Sequence, residues 1–112
     1  MIKRRLVTSY GDRLRLLPQF RPEENEKLRE VLFGRLEHQL ARWPPEQVAL
    51  ELSVKERDTK SQRTVLECWI SGRPKLVATS TEVDIDRAVA EVRNDLWRQL
   101  DRMATKAAPR KR

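Results

Sequence analysis

The sequence predicts one α+β domain: a two-layer sandwich in which two helices pack on one face of a four-stranded sheet, in the order β-α-β-β-β-α. Two segments repeat apolar residues at spacings of three and four, which gives each helix a single buried face. Between these segments, three short runs alternate apolar with polar residues, as half-buried strands do. The length of 112 residues suits one domain that can bury a core of its own.

The first strand and the first helix are predicted from turn residues and prolines. Tyr10-Gly11-Asp12 forms a turn, after which arginines and leucines alternate over residues 13–17. Pro22 suits the start of a helix, because its missing N–H would be unpaired there. Pro44-Pro45 ends that helix near Trp43, since neither proline can continue the hydrogen-bond ladder. The apolar face of this helix consists of Leu28, Leu32, Leu36, Leu40 and Trp43.

Three further strands are predicted as a meander. Apolar residues alternate with small or polar ones over residues 48–54 and again over residues 65–70, with a polar loop at residues 57–62. Ser71-Gly72-Arg73-Pro74 forms a tight turn before the last strand, residues 75–80. Because this alternation leaves one apolar sheet face, we expect both helices on that face.

The second helix is predicted to begin after a cap at Thr81 or Asp84. Its apolar face consists of Ile85, Val89, Val92, Leu96, Leu100 and Met103. The α+β domain therefore covers residues 13–106. A basic extension, residues 1–12, precedes it and could supply an extra strand, and a basic tail, residues 107–112, is expected to be disordered.

Positive charge is concentrated at the two ends of the chain. The formal net charge is +7, to which residues 1–21 contribute +5, residues 22–46 −2, residues 47–83 +1 and residues 84–112 +3. Such a balance favours polyanionic partners through long-range attraction and counterion release. A membrane surface ranks below nucleic acid, because no apolar run approaches a spanning length. With a single cysteine and no export signal, we expect a cytoplasmic protein.

The residue pattern offers no catalytic or metal-binding constellation. His38 is the only histidine and falls on a polar part of the first helix, while Cys68 falls in a strand and is expected to be packed. Glu82, Asp84 and Asp86 stand at a strand-to-helix junction, where cap and dipole roles account for them. No phosphate-binding loop, dinucleotide turn or catalytic triad motif is present. We therefore expect no enzyme, no metal, no cofactor and no small-molecule substrate.

Cationic side chains gather on one side of the second helix. At about 100° per residue, Arg87, Arg98 and Arg102 fall within about 60° of one another, and Lys106 extends the same side. This side fits a phosphate-binding face, and it also fits an ordinary solvated face, because carboxylates lie nearby. The basic tail and the arginines of the first strand favour phosphate binding.

Tryptophans are a second candidate feature, because aromatic rings on a sheet can stack against unpaired bases. Of Trp43, Trp69 and Trp97, only Trp69 falls on a strand. Core or rim packing is therefore the preferred interpretation for all three.

Two segments carry a resemblance to a known family. The turn and strand SGRPKLVATS (71–80) and the helix DIDRAVAEVRNDLWRQLDRMATK (84–106), in this order of elements, resemble the ribosome hibernation promoting factor / ribosome-associated inhibitor family. The resemblance covers roughly residues 14–106 and is to a short form that lacks the C-terminal dimerisation domain of longer members. The residues that match the family pattern of the last helix are Asp84, Ala88, Leu96, Arg98, Gln99 and Leu100.

The resemblance implies a protein that binds the small ribosomal subunit in the channel used by messenger and transfer RNA. It would inhibit translation, preserve idle ribosomes under stress, and be a monomer away from the ribosome. Basic helix positions of the family correspond to Arg29, Arg35, Arg98, Arg102 and Lys106, and Lys55 and Arg57 fall where members carry a basic residue near the end of the second strand. With Arg87 from the helix pattern, the predicted RNA-binding residues are Arg29, Arg35, Lys55, Arg57, Arg87, Arg98, Arg102 and Lys106.

Two other functions remain open on the residues alone. One is a free-standing module that binds double-stranded RNA, since the core of such modules, three strands followed by a helix, is similar to the second half of this chain. The other is a protein-interaction or regulatory domain in which the basic residues serve solubility only.

Overall fold

The structure, a computed structural model, describes residues 10–107 and the side chains of residues 10–105. Its strands are β1 (Leu14–Leu16), β2 (Val48–Lys55), β3 (Arg63–Ile70) and β4 (Leu76–Ser80), and its helices are α1 (Asn25–Leu40) and α2 (Ile85–Ala107). The predicted order β-α-β-β-β-α and the α+β class are confirmed. The extra strand predicted for residues 1–12 falls mostly on residues 1–9, which lie outside the described residues, as do residues 108–112 of the predicted tail.

The four strands form one mixed sheet in the order β1-β2-β3-β4. β1 runs parallel to β2, with Leu14 opposite Leu50. The parallel pair requires a crossover connection, and α1 provides it. The other pairs, β2 with β3 and β3 with β4, are antiparallel.

The core lies between one sheet face and the two helices. In β2 the buried residues Val48, Leu50, Leu52 and Val54 alternate with partly exposed ones, as the sequence predicts. Cys68 is likewise buried on β3, which confirms the prediction that it is packed. The predicted apolar faces of both helices meet this sheet face, and their fully buried members are Leu32, Leu36, Leu40, Val89, Val92, Leu96 and Leu100. The second sheet face carries no helix among the described residues.

The two helices run parallel, side by side. Near their beginnings, Lys27 Nζ lies 3.2 Å from Asp86 Oδ2, and near their ends Gln39 Nε2 donates to Asp101 Oδ1 at 3.2 Å. The beginning of α1 is therefore next to the beginning of α2, and the end of α1 is next to the end of α2. Neither helix of residues 10–107 is both long enough and apolar enough to cross a membrane.

Element ends differ from the prediction where local hydrogen bonds decide them. A 3₁₀ turn, Pro22–Glu24, precedes α1, and the Arg21 N–H donates to Glu24 Oε1 at 2.8 Å, so that Glu24 closes this turn. α1 ends at Leu40 rather than Trp43, because the last residues form tighter turn bonds. Arg13, predicted in the first strand, lies in a 3₁₀ turn instead.

The start of α2 is fastened by two side chains. Asp84 Oδ1 accepts hydrogen bonds from the backbone N–H groups of Asp86 at 2.9 Å and Arg87 at 3.4 Å, so Asp84 and not Thr81 supplies the predicted cap. The buried Gln62 side chain donates to the carbonyls of Glu82 and Val83, each at 3.0 Å. The β2–β3 loop is thereby fixed against the beginning of α2.

Candidate nucleic-acid interface

The outward side of α2 carries three exposed arginines, Arg87, Arg98 and Arg102, which we call the α2 ridge. Arg98 is the only one of the three with an ion pair among the described side chains. Its Nη2 lies 3.9 Å from Asp95 Oδ1, and its side chain is 60% exposed, so this pair contributes little. The helix pattern thus placed these three residues correctly, and all three guanidinium groups face solvent.

The seam between the two helices adds a fourth cation. The guanidinium carbon of Arg35 on α1 lies 5.2 Å from the centroid of the Trp97 ring on α2. A guanidinium over an indole is held by attraction to the ring face while its N–H groups remain able to donate at its edge. Trp97 lies on the side of α2 that faces α1, about 100° around the helix from Arg98, so Arg35 adds a cation at the seam, to one side of the α2 ridge.

Arg29 serves the packing of the N-terminal segment. Its Nη1 donates to the carbonyl of Gly11 and, at 3.1 Å, to the carbonyl of Leu14. Tyr10 adds a hydrogen bond from its hydroxyl to the Trp43 carbonyl at 2.6 Å. These bonds hold β1 and the turn before it against α1, so the Arg29 guanidinium is already occupied.

Arg57 is also committed to an intramolecular site, and its side chain is only 11% exposed. It binds both carboxylate oxygens of Glu24, at 2.9 and 2.5 Å, and donates to the Gln19 carbonyl at 2.9 Å. Its guanidinium also lies 5.7 Å from the Phe20 ring centroid. Hydrogen bonding to Arg57 lowers the pKa of Glu24 to about 2, against the opposing effect of partial burial. Arg57 therefore fastens the β2–β3 loop to the start of α1.

Lys55 belongs to a separate cationic group at the loop end of the β2–β3 hairpin. It is exposed and stands opposite the exposed Arg63, with Lys60 in the loop between them. We call Lys55, Lys60 and Arg63 the hairpin end. The pairing of β2 with β3 brings Arg63 opposite Lys55 and so into this group. In the sequence, only the basic residues in and around the loop indicated such a group. Lys106 falls in the last turn of α2, beyond the residues whose side chains are described.

The outward face of α1 is acidic. Glu26, Glu30 and Glu37 are all exposed there, and Arg29, which lines the same pocket as Glu30 and Glu37, donates to the carbonyls of Gly11 and Leu14. A phosphate backbone lying across the helical layer would be repelled by this part of it. The layer therefore offers phosphates a strip composed of the α2 ridge and Arg35, rather than a uniformly cationic face.

The tryptophans occupy two kinds of position. Trp43 and Trp97 are partly buried and pack against the core, as predicted. Trp69 is 39% exposed on the uncovered sheet face, so the preference for core or rim packing does not hold for this residue. Strand parity was the available signal, because Trp69 alternates with the buried Cys68 and Ile70.

The remaining reactive side chains do not gather into a site. Burial raises the pKa of the Cys68 thiol to about 12, so it stays protonated at neutral pH. Among the residues that the structure describes, no group of three or more histidines, cysteines and carboxylates is placed to hold a metal ion. Comparison of the chain with models of known protein families and with curated proteins finds no match.

Proposed function

We propose that this chain binds RNA of the small ribosomal subunit through the α2 ridge and Arg35, and that its occupancy of the messenger and transfer RNA channel inhibits translation. The observation that carries the proposal is the group of exposed arginines on the helical layer, one of which lies over the Trp97 ring. The protein would act in the cytoplasm as a monomer and preserve idle ribosomes under stress.

Arginine spacing on a rigid helix suits phosphate contacts. At about 1.5 Å per residue, Arg98 and Arg102 are about 6 Å apart along the α2 axis, and Arg87 is about 16 Å from Arg98. Each guanidinium can donate two parallel hydrogen bonds to a phosphate. Because these contacts recognise backbone shape rather than base edges, they suit a preformed groove in folded RNA.

The order of elements supports the same proposal. The resemblance rests partly on the order strand–helix–three strands–helix, and the structure has this order, with β1 at the sheet edge beside β2. A helical layer backed by a sheet is stiff, so its arginines are positioned before binding. Less conformational entropy is then lost when the complex forms.

A second candidate is a module that binds free double-stranded RNA. The hairpin end favours it, because its three exposed cations form a second cationic group, separate from the α2 ridge, that could contact a second stretch of backbone. Duplex-binding domains of this general shape contact two successive minor grooves and the phosphates between them. In that case the hairpin end and the α2 ridge would both be required.

Sedimentation with purified small subunits at increasing salt tests the proposal. About four phosphate contacts should give a log–log slope of about −3, at 0.7–0.9 per contact. The decisive variant replaces the α2 ridge by glutamates (Arg87→Glu, Arg98→Glu, Arg102→Glu). Its matched control makes the same charge change at the hairpin end (Lys55→Glu, Lys60→Glu, Arg63→Glu). The proposal expects the ridge variant to lose binding and the hairpin variant to keep most of it.

The same pair of variants separates the alternatives. Equal loss in both would contradict the ridge proposal, since either the second candidate or net charge alone would account for it, and loss in the hairpin variant alone would remove the ridge from the interface. A titration with an isolated RNA duplex runs in parallel. Duplex binding as tight as subunit binding would favour the second candidate. A partner retained at high salt without ribosomal RNA would indicate a protein-interaction domain.

A further inference from the structure

The uncovered sheet face contains a groove beside an exposed aromatic ring. Trp69 on β3 stands directly opposite Ala49 on β2. Because the alanine side chain is small, it leaves space beside the indole where a larger cross-strand neighbour would pack. We call this space the Trp69 groove. It is lined by the side chains of Arg13, Glu46, Ala49, Trp69, Ser71 and Arg73, among others.

The Trp69 ring is also contacted by a cation that does not line the groove. Lys75 Nζ lies 5.6 Å from the ring centroid and 3.0 Å from Glu67 Oε2. Leu76 pairs with Cys68, which places Lys75 on the β4 side of Trp69, away from Ala49. Lys75 and Glu67 neutralise each other and restrain the indole, so that the groove side of the ring remains available.

Two arginines make the groove cationic. Arg13 Nε donates to the Val48 carbonyl at 2.8 Å, which orients the guanidinium. Within residues 10–105, the two terminal nitrogens of Arg13 make no hydrogen bond or ion pair. Arg73 is exposed in the β3–β4 turn, where its backbone N–H donates to the Ile70 carbonyl at 2.9 Å. Glu46 is the one carboxylate that lines the groove, so the lining side chains carry a net positive charge.

We propose that the Trp69 groove binds one unpaired nucleotide of single-stranded RNA, with the base stacked on the indole and its phosphate at Arg13 and Arg73. An exposed aromatic ring flanked by cations is the arrangement by which proteins hold unpaired nucleotides without reading their sequence. The site is on the sheet face opposite the helical layer. It does not rest on the ribosomal proposal, and free oligonucleotides test it directly.

Fluorescence of Trp69 is the direct measurement. In a Trp43→Phe, Trp97→Phe background, Trp69 is the only tryptophan, and a single-stranded oligouridylate of about ten nucleotides should quench its emission in a saturable way. Inorganic polyphosphate of similar charge is the control, because it offers phosphates without bases. Quenching by polyphosphate equal to that by oligouridylate would overturn the stacking proposal.

Affinity measurements on the otherwise unchanged chain provide a second test, in case the background variant folds poorly. Trp69→Ala should weaken binding of a labelled oligouridylate about 5- to 140-fold, the range expected for one stacked base, and Trp69→Phe should recover part of it. Arg13→Ala combined with Arg73→Ala should weaken binding while Trp69 is retained. Unchanged affinity in Trp69→Ala would refute the site.

The remaining outcomes are also decisive. If Trp69 emission changes with protein concentration alone and sedimentation shows a dimer, a second copy of the chain covers this face instead. The α2 ridge variant should keep the saturable quench even where it no longer sediments with subunits. Conversely, if the chain binds subunits but oligouridylate does not quench Trp69 emission, the ribosomal proposal is unaffected and the nucleotide site in the Trp69 groove is refuted.

Discussion

Arg35 of α1 and Trp97 of α2 are in contact across the helix seam, with the guanidinium carbon 5.2 Å from the ring centroid. An exposed arginine normally loses side-chain entropy when it binds a phosphate. Here the indole has already restricted the side chain, so binding costs less. The same contact links the helices between the Lys27–Asp86 pair and the Gln39–Asp101 bond, nearer to the latter.

Replacing Arg35 should separate its charge from its orientation. Arg35→Ala is expected to reduce the salt slope of subunit binding by about 0.7–0.9, the value of one phosphate contact. Arg35→Lys keeps the charge but loses the planar guanidinium and its two parallel N–H donors. This variant should therefore keep the salt slope of subunit binding but bind more weakly than the wild type. Thermal unfolding should show a loss of only about 0.5–1 kcal/mol for the alanine variant. An unchanged slope in Arg35→Ala would exclude Arg35 from the interface.

The pair of Glu24 and Arg57 predicts acid sensitivity. Hydrogen bonding to Arg57 lowers the pKa of Glu24 from 4.5 to about 2 in the folded protein. A carboxyl whose folded pKa is lowered contributes stability above its unfolded pKa and loses it as pH falls through the folded value. The contribution should be about 3 kcal/mol at neutral pH and should disappear between about pH 5 and pH 2.

Thermal unfolding of wild type and Glu24→Gln across that pH range measures this contribution. The variant should be less stable at pH 7, and the two curves should converge near pH 2. A difference in stability between wild type and Glu24→Gln that does not change with pH would mean that the pKa of the Glu24 carboxyl is not lowered. Glu23→Gln is a matched control, because Glu23 is an exposed neighbour in the same turn.

Gln62 should be a stability determinant of the α2 start. Its buried side chain accepts a hydrogen bond from the Asp58 N–H at 2.9 Å and donates two, to the carbonyls of Glu82 and Val83. Gln62→Ala should cost about 1–3 kcal/mol, because buried backbone groups lose their partners. Chemical denaturation measures the cost. Gln62→Glu keeps the size and the acceptor but removes the donors at neutral pH, so it should also destabilise. Wild-type stability in both variants would contradict the assignment.

Hydrogen exchange should localise the Gln62 effect. In either variant, amides at the beginning of α2 should exchange faster, since that end is held through Glu82 and Val83. Amides in the middle of β2 should change only as much as the global stability does. Uniform acceleration over the whole domain would indicate that Gln62 supports the core rather than this junction.

Cys68 should be unreactive while the domain is folded. Its side chain is fully buried and its pKa is about 12, so very little thiolate exists at neutral pH. An aromatic disulfide reagent should label it at the rate of unfolding, and promptly in denaturant. Fast labelling of the native protein would show that the sheet–helix interface opens readily.

Much of this fold is encoded in local periodicity. Alternation along Val48–Val54 determines which side chains of β2 can be buried, and spacings of three and four do the same for α2. Pro44 stops α1 from extending further, because it lacks the N–H that a helix needs. These features depend on neighbours within a few residues, so the sequence alone determined the strand–helix order, the buried faces and the cations of the α2 ridge.

The availability of each cation was decided only by the tertiary structure. Arg29 and Arg57 look like free surface charges in the sequence, but the first binds the carbonyl of Leu14 and the second binds Glu24. Parallel packing of the helices brought Arg35 onto Trp97, and strand register placed Trp69 opposite Ala49. These contacts join residues far apart in the chain. Their geometry depends on how the helices and the sheet pack together, so it cannot be predicted from the pattern of residues within any one segment.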